Sequence, residues 1–275
     1  PHDGGDEPSA KRSRVHGGEE PIVNALVNAG VDEATARSKV RHMLKPSEAT
    51  FLEMYGRGGI NHIANVSRRD LNVRGLGALD LRTTKPDGTG WDFTRQADRR
   101  MARELVDKVR PDFVIGSPPC TAFSLWNQAM NYPKMSQERV DQLMAEGRAH
   151  LKFMLSIYKR QVKCGRWFLH EHPASASSWK EPELLEVAAL PGVEMVVVDQ
   201  CMYGLTSPTD DGRELPAKKP TRFMTNAGPL AELLQTRCDK SHNHQQLVSG
   251  RCAAAAFYPA KLILTFIKGI KATIE

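Results

Sequence analysis

From residue 49 onward the chain alternates short apolar runs with longer stretches in which apolar residues recur every three or four positions. Short runs bounded by glycine or polar residues read as strands, and the helical period of 3.6 reads as helix. The expected strands are "ATFLEMY" (49–55), "GALDL" (77–81), "DFVIGS" (112–117), "WFLHEHP" (167–173) and "VEMVVVDQC" (193–201). "RQADRRMARELVDKVR" (95–110) predicts a helix with Ala97, Met101, Leu105 and Val109 at i, i+4 spacing on its apolar side. "MSQERVDQLMAEGRAHLKFMLSIYKRQVKCG" (135–165) predicts a long helix closed by Gly165, and "PAKLILTFIKGI" (259–270) predicts a closing helix. Upstream, "PIVNALVNAG" (21–30) opens on proline and ends on glycine, and "DEATARSKVRHML" (32–44) starts from Asp32 as a cap. Strands separated by helices imply parallel pairing through right-handed crossovers, hence an α/β fold with a doubly wound sheet.

Domain organisation follows the same pattern. Residues 1–20 form a polar, glycine-rich tail with almost nothing to bury, expected to be disordered. Residues 21–48 form a helical extension, and 49–275 the main domain. The tail lacks an apolar core and does not read as a secretory signal. Its "KRSR" is either a nuclear-import patch or a plain solvated stretch.

Composition adds bounds. The chain has 275 residues, 40% hydrophobic and 25% charged, ordinary for a globular protein with a sizeable core. No apolar run approaches the roughly 18 residues that span a bilayer. Five cysteines, an odd number and widely spread, favour free thiols in a reducing compartment over a disulfide framework. A net charge of +6 permits a nucleic-acid partner without requiring one.

In doubly wound sheets, ligands bind beyond the carboxyl ends of the strands, so the residues that follow each strand are the candidates. "YGRGG" places Tyr55, Gly56, Gly58 and Gly59 after the first strand, where glycine allows a tight turn and close backbone approach. Asp80 follows the second strand and can accept hydrogen bonds from ribose hydroxyls, or is a solvated loop residue. Asp92 in "GWDFT" precedes a helix and is either a ligand contact or a turn-orienting residue. Cys120 lies in "GSPPCTAFS", where two prolines stiffen the loop; it is a nucleophile or a small buried hydrophobe. Glu171 ends the apolar "WFL" run, a place where partial desolvation raises a carboxyl pKa and suits proton donation.

These residues, in this order, resemble the cytosine-5 DNA methyltransferase family over about residues 50–275. "GSPPCTAFS" looks like the family's catalytic Pro-Cys loop, and "EHP" like its Glu-Asn-Val motif with two residues changed. "YGRGG" and Asp80 look like cofactor motifs, "WDFT" like the adenine-contacting segment, and "FYPAKLILTFIKGI" like the closing helix of the cofactor pocket. The glycine turn is one residue shorter than the family's. The resemblance implies a Rossmann-like, S-adenosylmethionine-dependent fold with DNA as partner. It implies Cys120 as nucleophile toward cytosine C6, Glu171 holding N3 and the exocyclic amine, and Arg222 bracing the flipped base. Pro118, Tyr55, Gly56, Gly58, Gly59, Asp80 and Asp92 become cofactor contacts. Residues 201–252 become a small recognition region, short enough to leave room for an accessory protein that supplies specificity. A nuclear location in a eukaryote, cytoplasmic otherwise, goes with this reading. The alternatives are an inactive relative that binds nucleic acid or a protein, and an enzyme acting on RNA.

One cluster stands apart. "CDKSHNH" supplies Cys238, His242 and His244, with Cys252 beyond, ligand types and spacing compatible with zinc. Polar histidines contacting phosphate are the alternative, and no metal enters the catalytic assignment.

Overall fold

The computed structural model describes residues 19–33, 35–36, 48–248, 250–251 and 254–275. Residues 1–18 of the tail with its "KRSR", the later part of the Asp32-capped stretch, and Cys252 lie outside the described residues, while the tail's last two residues, expected to be disordered, are helical. Contacts divide the chain into Pro1–Ser47 and Glu48–Glu275. In the first unit, helix α1 (Glu19–Asn28) packs Val23 with Ala36. Asp32 accepts the Thr35 N–H at 2.9 Å, the capping geometry its position suggests.

The second unit is α/β. Its parallel strands are β1 (Ala49–Met54), β2 (Val73–Leu79), β3 (Phe113–Gly116) and β4 (Trp167–Pro173). β5 (Glu194–Asp199) stands at the far edge, and β8 (Pro220–Thr225) runs antiparallel between β4 and β5. The six-stranded order is β2-β1-β3-β4-β8-β5, mostly parallel. A separate two-stranded ribbon joins β6 (Thr206–Pro208) to β7 (Glu214–Pro216).

Neighbouring residues within each strand serve opposite cores, as the period of two requires. Leu52, Val114 and Phe168 face one cluster with α5 (Gln137–Lys163) and α6 (Pro182–Ala188). Phe51, Ile115 and Leu169 face another with α7 (Gly228–Leu233) and α8 (Ala260–Ile274). The sheet is thus covered on both faces, which explains why its strands read as unbroken apolar runs. The remaining helices are α2 (Gly59–Val66), α3 (Arg68–Leu71) and α4 (Gln96–Val109). Ser136 caps α5 by accepting the Arg139 N–H, and Gly165 takes the left-handed conformation just past its end.

Two expectations are corrected. The second strand begins at Val73, not at Gly77, because neighbouring β1 supplies a ladder from Ala49 onward. On α4, Ala97, Met101 and Val109 are exposed, while Asp98, Ala102 and Val106 are buried. The buried stripe is shifted by one residue because Asp98 receives the Lys85 ammonium at 2.8 Å and 2.9 Å and the Asp92 N–H at 2.7 Å. A charged residue there is sustainable only because the pair is so completely bonded. Among the described residues no helix is long and apolar enough to cross a membrane.

Candidate functional site

The register aligns the strand ends. Met54 lies opposite both Leu79 and Gly116, and Gly116 opposite His170. The next residues, Tyr55, Asp80, Ser117 and Glu171, therefore sit along one edge of the sheet. Sequence spacing alone does not align them; the pairing does.

Beyond β3, Ser117–Cys120 leads into a short 3-10 turn, Thr121–Phe123. The carbonyls of this loop are bonded one after another. Pro118 accepts from His172 Nε2 at 3.0 Å, and Thr121 from the Asn127 amide at 2.8 Å. Ala122 accepts from the Tyr132 hydroxyl at 2.8 Å, and Phe123 from Ser177 Oγ at 3.3 Å. Gly147 of α5 packs so tightly on Ala122 that a side chain there would collide with it. Pro118 is buried and Cys120 half-buried, so the thiol sits on a backbone with little freedom. A cleft of about 310 Å³ flanks the loop, lined by Pro119, Thr121, Tyr132, Met135 and His150 among others. Leu125, Trp126 and Met130, just past the loop, are exposed at 50%, 61% and 45%.

Glu171 is half-buried near the end of β4. Ser117 Oγ lies 2.7 Å from the Tyr258 hydroxyl, and that hydroxyl donates to the Glu171 carboxylate. Burial raises the Glu171 pKa, opposed by the Lys219 charge and the Tyr258 bond. Loss of water and the Glu171 charge push the Tyr258 phenol up in turn. A carboxyl so held can deliver a proton, or accept one from a ring N–H, without reorganising. His172, fully buried, bonds Pro118 on one side and Ser178 Oγ at 2.6 Å on the other. Burial depresses its pKa to about 4, which keeps it neutral.

The glycine turn is built around a residue the sequence pattern hides. Glu53, only 4% exposed, points its carboxyl into the first turn of α2. It accepts the Asn61 side-chain amide at 3.0 Å and the Asn61 backbone N–H at 3.3 Å, and the nearby Gly58 and Ile60 amides favour its charged form. Burial nevertheless raises its pKa. Gly56 has no room for a Cβ, which would fall on that carboxyl, and Gly58 is left-handed at φ 82°. Gly59 opens α2 with open space around it. Tyr55, also left-handed, packs edge-on to Phe93 and shares a 2.9 Å hydrogen bond with His150. Arg57 lies over the Phe257 ring at 4.7 Å, so the turn meets the segment that carries Tyr258.

Asp80 is half-buried; its Oδ1 accepts the Arg82 N–H at 3.0 Å, and its carbonyl accepts from Trp91. Asp92 folds back on Thr94, accepting its N–H at 3.0 Å and its hydroxyl at 2.6 Å, and these bonds lower its pKa. Arg222 pairs across the sheet with His172, and its guanidinium stacks 5.1 Å from the Trp179 ring. Paired residues share a face, so Arg222 projects with His172, whereas Glu171 projects with Phe223 to the other side.

Sequence reasoning did not single out Ser117, Tyr258, Lys219, His172 or Glu53. Ser117, His172 and Tyr258 lay inside quoted motifs, "GSPPCTAFS", "WFLHEHP" and "FYPAKLILTFIKGI", but nothing local marked them as partners. No protein-family model and no curated protein matches this chain.

Proposed function

We propose that this protein is a DNA cytosine-5 methyltransferase using S-adenosylmethionine. The observation that carries the reading is the loop Ser117–Phe123, which fixes Cys120 at the same sheet edge as Glu171 through successive carbonyl bonds. This supports a Rossmann-like methyltransferase sheet as the finer form of the α/β fold.

The glycine turn supports this cofactor over a dinucleotide. A pyrophosphate needs unoccupied amides at a helix N-terminus. Here the Glu53 carboxyl already stands at that end, accepting the Asn61 N–H at 3.3 Å with the Gly58 and Ile60 amides close by. A carboxylate-lined turn suits a cationic ligand, and S-adenosylmethionine is a sulfonium. Gly56, Gly58 and Gly59 allow the backbone to approach it, Asp80 offers a carboxylate oxygen to ribose hydroxyls, and Tyr55, Asp92 and Pro118 flank the site. When bound, the cofactor supplies an electrophilic methyl group.

The chain's own groups handle the base. The Cys120 thiol gives its proton to solvent, its sulfur bonds to C6 of a cytosine turned out of the duplex, and the C5–C6 electron pair moves to C5. Glu171, steadied by Tyr258, holds N3 and the exocyclic amine and offsets the charge that develops there. Once C5 carries the methyl group, its proton passes to solvent, the C5–C6 double bond re-forms and the sulfur leaves as thiolate. Exposed Trp126 beside the loop offers an aromatic surface on which unpaired bases can stack. Arg222 braces the base or backbone from the Trp179 side.

Mass spectrometry of nucleosides after incubating DNA with the protein and S-adenosylmethionine tests the reading. Formation of 5-methylcytosine supports it. Methylation of RNA alone, or cofactor binding without methylation, would replace it with the RNA enzyme or the inactive binding module.

A further inference from the structure

The fold gathers four metal-ligating side chains that lie far from the Cys120 loop in sequence. Cys201 follows β5, Cys238 follows α7, and His242 and His244 come from the same irregular segment as Cys238. One ligand atom from each lies within 4.8 Å of every other. Cys238 Sγ is 3.8 Å from His242 Nε2 and 3.3 Å from His244 Nε2. Tetrahedral zinc, with bonds of about 2.3 Å to sulfur and 2.0–2.1 Å to nitrogen, sets its ligand atoms roughly 3.3–3.8 Å apart. We propose that Cys201, Cys238, His242 and His244 bind a structural zinc ion.

The surroundings fit that role. The Lys240 N–H points at Cys238 Sγ from 3.3 Å, a donor that stabilises a thiolate. Ser241 Oγ engages His242 Nδ1 at 3.3 Å, which leaves Nε2 for the ion. The Cys238 backbone is tethered by its N–H to the buried Asp199 carboxylate at 2.9 Å, beside Cys201. Two thiolates and two imidazoles in a tetrahedron select zinc among common divalent ions, and four protein ligands close the site.

There is also a need for it. Among the described residues from 235 to 251, none is buried, and none lies in a helix or strand of the sheet. Such a segment has no core of its own, and a metal is a common substitute. The set differs from the sequence expectation in one ligand. Cys201 completes the cluster, whereas Cys252 lies outside the described residues. This site is independent of the methyltransferase reading.

The test is metal analysis of the full-length protein expressed in zinc-supplemented medium. One zinc per chain is expected, with at least a tenfold loss of affinity in Cys201→Ser and in Cys238→Ser, and none in Cys164→Ser. If the serine variants do not fold, cobalt substitution of the wild-type chain serves instead. It should give the visible absorption of a tetrahedral ion with thiolate charge-transfer bands. Zinc-free wild-type protein, a six-coordinate cobalt spectrum, or zinc retained in Cys201→Ser and lost in Cys252→Ser would each overturn the assignment.

Discussion

The loops after β1 and β3 stand on neighbouring strands and are anchored in opposite ways. The glycine turn is held by its amides, which converge on the buried Glu53 carboxyl. The Cys120 loop is held by carbonyls, those of Pro118, Thr121, Ala122 and Phe123 each accepting from a side chain. Anchoring through amides makes the turn part of the core and sets its charge. Anchoring through carbonyls fixes the backbone that carries the Cys120 side chain. The first loop is glycine-rich and the second carries two adjacent prolines, so each has a backbone suited to the way it is held.

The largest way to break this contrast is through His172, the buried tie to Pro118. Its pKa falls from an ordinary 6.5 to about 4 on folding. Above pH 6.5 its contribution to stability is fully present. As pH falls toward 4 the unfolded chain gains a proton that the folded chain resists, and about 3 kcal/mol is lost. Buried His170, also depressed, acts in the same sense, while Glu171, raised by burial, acts in the opposite one. Thermal unfolding of wild type and His172→Asn across pH 4–7 should show a shallower acid slope in the variant; parallel curves would remove His172 from the account.

Next in size is Glu171→Gln. It keeps the shape and one hydrogen bond to Tyr258 but cannot supply charge or proton, so turnover should fall by about 10²-fold or more. Tm should move little, because Tyr258 retains Ser117. Near-normal turnover would take Glu171 out of the mechanism, and loss of folding would make it structural.

Gly56→Ala sharpens the other side of the comparison. Its methyl group meets the Glu53 carboxyl, which is too buried to swing away, so the protein should lose about 1–3 kcal/mol of stability in denaturant titration. An unchanged midpoint would mean the turn is looser than its packing implies.

Asp80→Ala has the smallest structural effect expected, since one Asx-turn bond to Arg82 is lost. S-adenosylmethionine binding should weaken by about 1–2 kcal/mol, measured by calorimetry, with Tm nearly constant. Equal affinity in both proteins would end its role at the ribose.

What the sequence made legible was what local pattern controls. The apolar runs of β1, β3 and β4 were readable because burial on both faces leaves a continuous signal, β5 by its three successive valines, and α5 by apolar residues at the helical period. β8 was not, because "PTRFMT" opens on proline behind two lysines and becomes a strand only between β4 and β5. The shifted face of α4 was hidden because a buried Asp98 looks polar until Lys85 is found. Glu53 sits inside a strand and shows its purpose only where α2 begins. The Ser117–Tyr258–Glu171 chain spans most of the domain, so no spacing rule could have assembled it. Cys201 was read merely as the end of a strand, since its fellow ligands lie beyond three strands and a helix.

The central claim is that the rigid loop presents Cys120 to a cytosine ring. DNA carrying 5-fluorocytosine tests it most directly, because fluorine cannot leave as the C5 proton does and the sulfur–carbon bond should persist. With S-adenosylmethionine present, wild-type protein should give a band on a denaturing gel shifted by the mass of the DNA, and Cys120→Ser should give none. Wild-type protein that binds the cofactor and the DNA yet leaves no such band would contradict the account.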